Sequence, residues 1–99
     1  METIYKGAKW EILIDSDTQL DTEACRLYNP ATRTYIPFST TLNGSSDNVY
    51  HYTLTLAATD TDAAAAGVYH LECFAPSDGE MVYHQNNFVR VITTSKSTD

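Results

Sequence analysis

The sequence predicts an all-β protein, an antiparallel sandwich of about seven or eight short strands. Apolar and polar residues alternate in most segments of the 99-residue chain, and this alternation is typical of strands with one buried face. Clusters of turn-forming residues separate these segments at regular spacing. The two alanine-rich stretches are short, so they predict at most one short helical turn.

The strand pattern occurs in eight segments. Trp10, Ile12 and Ile14 share one face of the second segment, and we expect that face to be core. Pro37 lacks a backbone N–H group, so the fourth segment is expected to be an edge strand or an irregular crossing. The polar run Asn43–Asn48 is interpreted as the longest loop. The segments are 3–6, 9–14, 24–28, 34–38, 49–56, 68–74, 81–84 and 88–92.

The stretch Asp60–Phe74 predicts a tyrosine corner. Gly67 permits a sharp turn before an extended run in which Tyr69 and Cys73 point inward. A tyrosine two residues after such a glycine is expected to bury its ring and to bond its hydroxyl to upstream backbone. We therefore assign structural roles to Trp10, Gly67 and Tyr69.

The end of the chain predicts a hairpin and a closing strand. Asp78 and Gly79 form a strong hairpin-turn signal. The polar run Gln85–Asn87 interrupts the returning strand, as a β-bulge would. We expect a single domain over residues 1–94 and a flexible polar tail over residues 95–99.

The charge balance excludes two classes of partner. Six Lys and Arg residues stand against 13 Asp and Glu residues, a formal net charge of −7. Nucleic acids and anionic membrane surfaces both require clustered cations, so neither is expected as a partner. No apolar run could span a bilayer, and no secretory signal pattern follows Met1, so we expect cytosolic synthesis.

Three groups of residues could bear chemistry, and each has a simpler interpretation. Three histidines share no metal-binding spacing and are interpreted as exposed sheet residues. Four carboxylates lack the glycine and the final glutamate of an EF-hand loop, so a solvated acidic turn is expected instead of calcium. Two cysteines are interpreted as buried, unreactive thiols, with a disulfide between them as the alternative. These residues are His51, His70 and His84; Asp15, Asp17, Asp21 and Glu23; and Cys25 and Cys73.

Tyrosines are the candidate interface residues, because aromatic side chains are enriched at protein interfaces. Tyr28, Tyr35 and Tyr83 are the candidates among the seven tyrosines. The simpler interpretation of Tyr28 and Tyr83 is cross-strand pairing on a solvated sheet face.

The order of segments resembles the small Ig-like sandwich domains of tailed-phage structural proteins, and most closely the amino-terminal domain of baseplate upper proteins. Those domains combine a strand, a threonine-rich step, a Gly-x-Tyr strand, a glycine-containing hairpin and a closing valine strand. Ala8 and Asn87 depart from the pattern, since an acidic residue and a second glycine are usual there. The matching segments are 4–7, 10–14, 54–61, 66–72, 77–82 and 89–91.

The resemblance implies a non-enzymatic structural or assembly module of a phage or prophage particle. Its partners would be other virion proteins or further copies of itself, and its location a virion assembled in the bacterial cytoplasm. No catalytic residue, cofactor or metal is carried over. The alternative is an Ig-like adhesion or carbohydrate-binding domain, in which Tyr28, Tyr35 and Tyr83 would line a shallow site.

Overall fold

A computed structural model describes residues 1–92, which form eight strands and one short helix. The expected end of the domain at residue 94 and the expected tail over residues 95–99 lie outside the described residues. The elements in chain order are β1 (Glu2–Tyr5), β2 (Trp10–Ser16), β3 (Arg26–Asn29), β4 (Thr34–Pro37), β5 (Ser39–Ser46), β6 (Val49–Leu56), α1 (Ala58–Ala63), β7 (Gly67–Phe74) and β8 (Met81–Ile92).

The strands form two sheets, which confirms the predicted all-β sandwich. A five-stranded sheet has the order β1-β8-β7-β3-β4, and a three-stranded sheet has the order β2-β6-β5. If β2 to β8 are matched to strands B, C, C′, D, E, F and G, these orders are those of an immunoglobulin-type sandwich. The expected edge position of the Pro37 strand, β4, is also confirmed.

Strand β1 departs from the antiparallel expectation, because it pairs in parallel with β8. Gly7, with a φ of 85°, lies in the turn that carries the chain from β1 in one sheet to β2 in the other. The two consecutive strands therefore cannot form a hairpin. Ile4 is instead in register with Val91, and both side chains are buried in the core.

The core lies between the inner faces of the two sheets and contains the side chains that alternation predicts. Trp10 and Ile12 pack against its rim, half-buried, and the Trp10 ring lies 6.4 Å from Phe38 and 6.1 Å from Phe88. Fully enclosed side chains include Leu27, Tyr52, Leu54, Leu56, Tyr69, Leu71, Cys73, Val89 and Val91.

The predicted tyrosine corner is present at the start of β7. The Tyr69 ring is fully buried, and its hydroxyl donates to the carbonyl oxygen of Ala65 at 2.7 Å. Gly67 has a φ of 145°, and a Cβ at this position would lie 3.0 Å from the amide nitrogen of Asn29. The backbone angle therefore requires a glycine here, and the contact with the side-chain amide of Asn29 leaves little room for a Cβ.

The interpretation of Asn43–Asn48 as a loop is wrong. Strand β5 extends through Ser46, and Asp47 and Asn48 form a two-residue turn into β6 with φ values of 51° and 64°. These are the angles of a type I′ hairpin, which Asp and Asn tolerate. β5 is a polar edge strand with most of its residues exposed, so its sequence lacks the apolar alternation of the other strands.

The predicted interruption of the last strand is a β-bulge. β8 is one continuous strand, and its register against β7 shifts between Tyr69 and Leu71. At the shift, Asn87 has a φ of 52° and its N–H donates to Nδ1 of His70 at 2.9 Å. The predicted helical turn corresponds to α1, whose buried Thr61 hydroxyl donates to the Ala8 carbonyl at 2.7 Å.

Candidate interaction surface

Two cross-strand rows of side chains form the outer face of the five-stranded sheet around β3. In the first row Arg26 lies between Pro37 of β4 and Glu72 of β7. In the second row Tyr28 lies between Tyr35 of β4 and His70 of β7. Because alternate residues of a strand share a face, the inward partners of these rows, Leu27 and Ile36 among them, anchor the surface to the core.

Arg26 is held from three sides. Its Nε donates to Oε1 of Glu72 at 2.9 Å, and the Glu72 side chain is only 10% exposed. Its guanidinium carbon lies 4.0 Å from the centre of the Tyr35 ring and 4.8 Å from that of Phe74. Cation–π contacts and a shielded ion pair both restrict the rotamers of this long side chain. Arg26 therefore presents its remaining N–H groups from a fixed position.

Tyr28 and Tyr35 form a pair beside this arginine. Their ring centres are 4.8 Å apart, with an angle of 33° between the ring planes. Tyr28 is half-buried, whereas Tyr35 on the edge strand is 52% exposed. We call Arg26, Tyr28, Tyr35 and Phe74 the aromatic patch.

An open cavity of about 580 Å³ adjoins the aromatic patch. Its lining combines rings and apolar carbons with two carboxylates, those of Asp21 and Glu23. The Asp21 carboxylate also accepts the backbone N–H of Glu23 at 2.9 Å, which fixes the loop before β3. The other lining residues are Ala24, Cys25, Arg26, Tyr35, Pro37, Phe74 and Gly79.

The structure brings together two of the three candidate tyrosines. Tyr83 lies apart from Tyr28 and Tyr35, directly opposite the buried Cys73, and packs half-buried against the core. Its expected position on an outer face is therefore wrong.

Three residues of this surface were missing from the sequence prediction. Arg26 lies two positions before Tyr28 in the same strand, so alternation alone could have placed both on one face. Glu72 and Phe74 come from β7, and only the pairing register brings them to Arg26. The sequence carries no local signal for that register.

The histidines are divided between the two sheets. His70 and His84 form an edge-to-face pair on the five-stranded sheet, with ring centres 6.2 Å apart. His51 lies on the three-stranded sheet, where its Nδ1 is 2.7 Å from Oδ1 of Asp15. Among residues 1–92, no group of three or more His, Cys, Asp or Glu side chains could hold a metal ion.

No protein-family model, curated protein or solved structure matches this chain. Within the described residues, no helix is both long enough and apolar enough to cross a membrane.

Proposed function

We propose that the protein is a non-enzymatic structural module of a phage or prophage particle, of the tail, baseplate or head, that acts through protein–protein contacts at the aromatic patch. The observation that carries this proposal is the fixed position of Arg26 against Tyr35, Phe74 and Glu72. Tyr and Arg are the residue types that dominate binding energy at interfaces. Side chains already held in one rotamer also lose less entropy when a partner binds.

The patch favours docking of side chains over the addition of a strand. Strand β4 is the nearest sheet edge, but it has only four residues and contains Pro37. A proline interrupts the hydrogen bonds that an added strand would need. A partner is therefore expected to cover the outer face of the sheet at Tyr28 and Tyr35.

The phage assignment comes from the resemblance of the sequence, and the Ig-type topology is compatible with it. The formal charge of −7 supports protein partners over nucleic acid or anionic membrane. Binding to other virion proteins and binding to further copies of the chain both follow from this proposal.

A carbohydrate site is the second candidate, because aromatic rings and carboxylates meet in the cavity at Tyr35, Asp21 and Glu23. A saccharide usually stacks on a free aromatic face. Here the Arg26 guanidinium lies over the Tyr35 ring, which supports a protein contact more than a sugar site.

The proposal is tested by measuring binding of the full chain to itself and to the products of the genes flanking its own. Tyr35→Ala is expected to weaken that association by about 2 kcal/mol, roughly 30-fold in Kd. Leu13→Ala is the matched control, since Leu13 is a 74% exposed apolar residue on the other sheet. Equal Kd values for the two variants, or a strictly monomeric chain that binds none of these products, would contradict the proposal. Binding on a glycan array that Tyr35→Ala abolishes would favour the second candidate.

A further inference from the structure

Two free cysteines face each other across the β3–β7 ladder. In this antiparallel register Arg26 is opposite Glu72 and Leu27 is opposite Leu71. One step further along the same register, Cys25 comes opposite Cys73. Both side chains lie on the inward side with Leu27 and Leu71, and both thiols are free and buried. Opposed residues in such a ladder have Cβ atoms about 4.5–5.5 Å apart, close to the separation that a disulfide requires.

The two thiols differ in access. Cys25 lines the cavity beside the aromatic patch and immediately precedes β3, where its carbonyl oxygen accepts the backbone N–H of Phe38 at 3.0 Å. Its Sγ lies 3.6 Å from the carbonyl oxygen of Asp21. Cys73 lies inside β7 and is fully enclosed. A small reagent in the cavity therefore reaches Cys25 first.

The two thiols also differ in acidity. Hydrogen bonding from Cys73 lowers the pKa of Cys25 and outweighs the effect of burial. The neighbouring Cys25 and burial both raise the pKa of Cys73 well above its usual value. Because the thiolate is the nucleophile in disulfide exchange, Cys25 is the thiol that attacks.

We propose that Cys25 and Cys73 are a redox pair that low-molecular-weight disulfides, such as oxidised glutathione, convert into an intramolecular disulfide. The Cys25 thiolate attacks one sulfur of the oxidant, forms a mixed disulfide and releases one thiolate, which takes up a proton. Cys73 then attacks the Cys25 sulfur, and its proton passes to the departing sulfur, which leaves as the second thiol. Two cysteine sulfurs are oxidised, and one disulfide is reduced to two thiols. This inference does not depend on the proposed function.

The test equilibrates the folded chain with mixtures of reduced and oxidised glutathione, quenches it with acid, and alkylates the remaining thiols in denaturant. Mass spectrometry is expected to find a monomer that has lost two hydrogen atoms, with residues 25 and 73 joined in one cross-linked peptide. The equilibrium constant for forming the intramolecular disulfide should be at least about tenfold larger in the folded chain than in the urea-unfolded chain, because the fold holds the two thiols together. Added dithiothreitol should restore both thiols.

Two single variants test the order of attack. Cys73→Ala is expected to accumulate glutathione on Cys25, because the second thiol is missing. Cys25→Ala is expected to leave Cys73 unmodified, because no thiol faces the cavity. The proposal is overturned if the wild-type chain keeps two free thiols or forms only disulfide-linked dimers. It is also overturned if the equilibrium constant for the intramolecular disulfide is no larger in the folded chain than in the unfolded chain.

Discussion

The two sheets share one core, but their outer faces differ in chemistry. The five-stranded sheet exposes the aromatic patch, in which a guanidinium lies between two rings and pairs with a shielded carboxylate. The three-stranded sheet exposes threonines and carboxylates, and its apolar Leu13 is 74% exposed. We call the latter surface the polar face; its members in β2 and β6 are Glu11, Leu13, Asp15, His51, Thr53 and Thr55.

Within residues 1–92, each face carries one contact between a basic and an acidic side chain, and the two contacts differ in burial. The Glu72 side chain is 10% exposed beside Arg26, whereas the Asp15 side chain is 67% exposed beside His51. A shielded charge needs its partner, while water screens an exposed one. Both faces follow the same alternation of residues. The contribution of an outward residue to stability therefore depends on how far neighbouring side chains shield it from water.

The largest effect that should separate the two faces is the loss of one charge from each pair. Arg26→Ala is expected to lower the free energy of unfolding by about 2–3 kcal/mol, because it leaves the Glu72 carboxylate shielded and unpaired. Asp15→Ala is expected to cost less than about 0.5 kcal/mol, because its pair is solvated. Urea denaturation of both variants measures the difference.

The double variant Arg26→Met with Glu72→Met is the control for that experiment. Removing both charges relieves the unpaired carboxylate, so this variant should be more stable than Arg26→Ala alone. Equal free energies of unfolding for Arg26→Ala and Asp15→Ala would contradict the prediction, because they would show that the burial of Glu72 does not affect stability.

A smaller effect compares two buried tyrosines, one in each sheet. The Tyr52 hydroxyl of the three-stranded sheet accepts the buried N–H of Leu20 at 2.8 Å, whereas the Tyr69 hydroxyl donates to a part-buried carbonyl of Ala65. Tyr52→Phe leaves a buried N–H without a partner and should cost about 2 kcal/mol, while Tyr69→Phe should cost about 1 kcal/mol. Thermal and urea unfolding of the two variants give the order. A larger loss of unfolding free energy for Tyr69→Phe than for Tyr52→Phe would contradict this order. It would mean that the tyrosine corner contributes more to stability than the Tyr52 hydrogen bond.

Much of the fold follows from local sequence. Alternation places Leu54 and Leu56 in the core, and the Gly67–Tyr69 spacing predicts a corner that the structure contains. Strand β5 escapes prediction because an edge strand that is mostly exposed needs no apolar alternation. The parallel pairing of β1 with β8 could not be predicted either, because the residues around Ile4 carry no local signal for a strand partner so distant in the sequence.

Less of the candidate surface could be predicted. Tyr28 and Tyr35 could be proposed because aromatic residues on outward strand positions are visible in the sequence. Arg26 is also held by its ion pair with Glu72 and its cation–π contact with Phe74, residues that lie 46 and 48 positions further along the chain. Only the pairing of β3 with β7 brings these residues to Arg26. The outward position expected for Tyr83 is wrong, because alternation counted back from the buried Val89 and Val91 places Tyr83 on the inward side of β8. That Tyr28 and Tyr35 contact a partner stays a prediction.

The smallest effect concerns the turn that supports the polar face. Asn48 has a φ of 64° at the second position of the β5–β6 turn. Asn48→Gly is expected to stabilise the protein by about 0.5 kcal/mol, because glycine adopts left-handed angles without strain. Asn48→Ala is the control and should destabilise it by about 1 kcal/mol, because a Cβ without a polar group is disfavoured there. Urea unfolding measures the stability of both variants. If both changed the free energy of unfolding in the same direction, the left-handed angle at residue 48 would not be what limits the stability of this turn. The aromatic patch should be unaffected by either change, since β5 and β4 lie in different sheets.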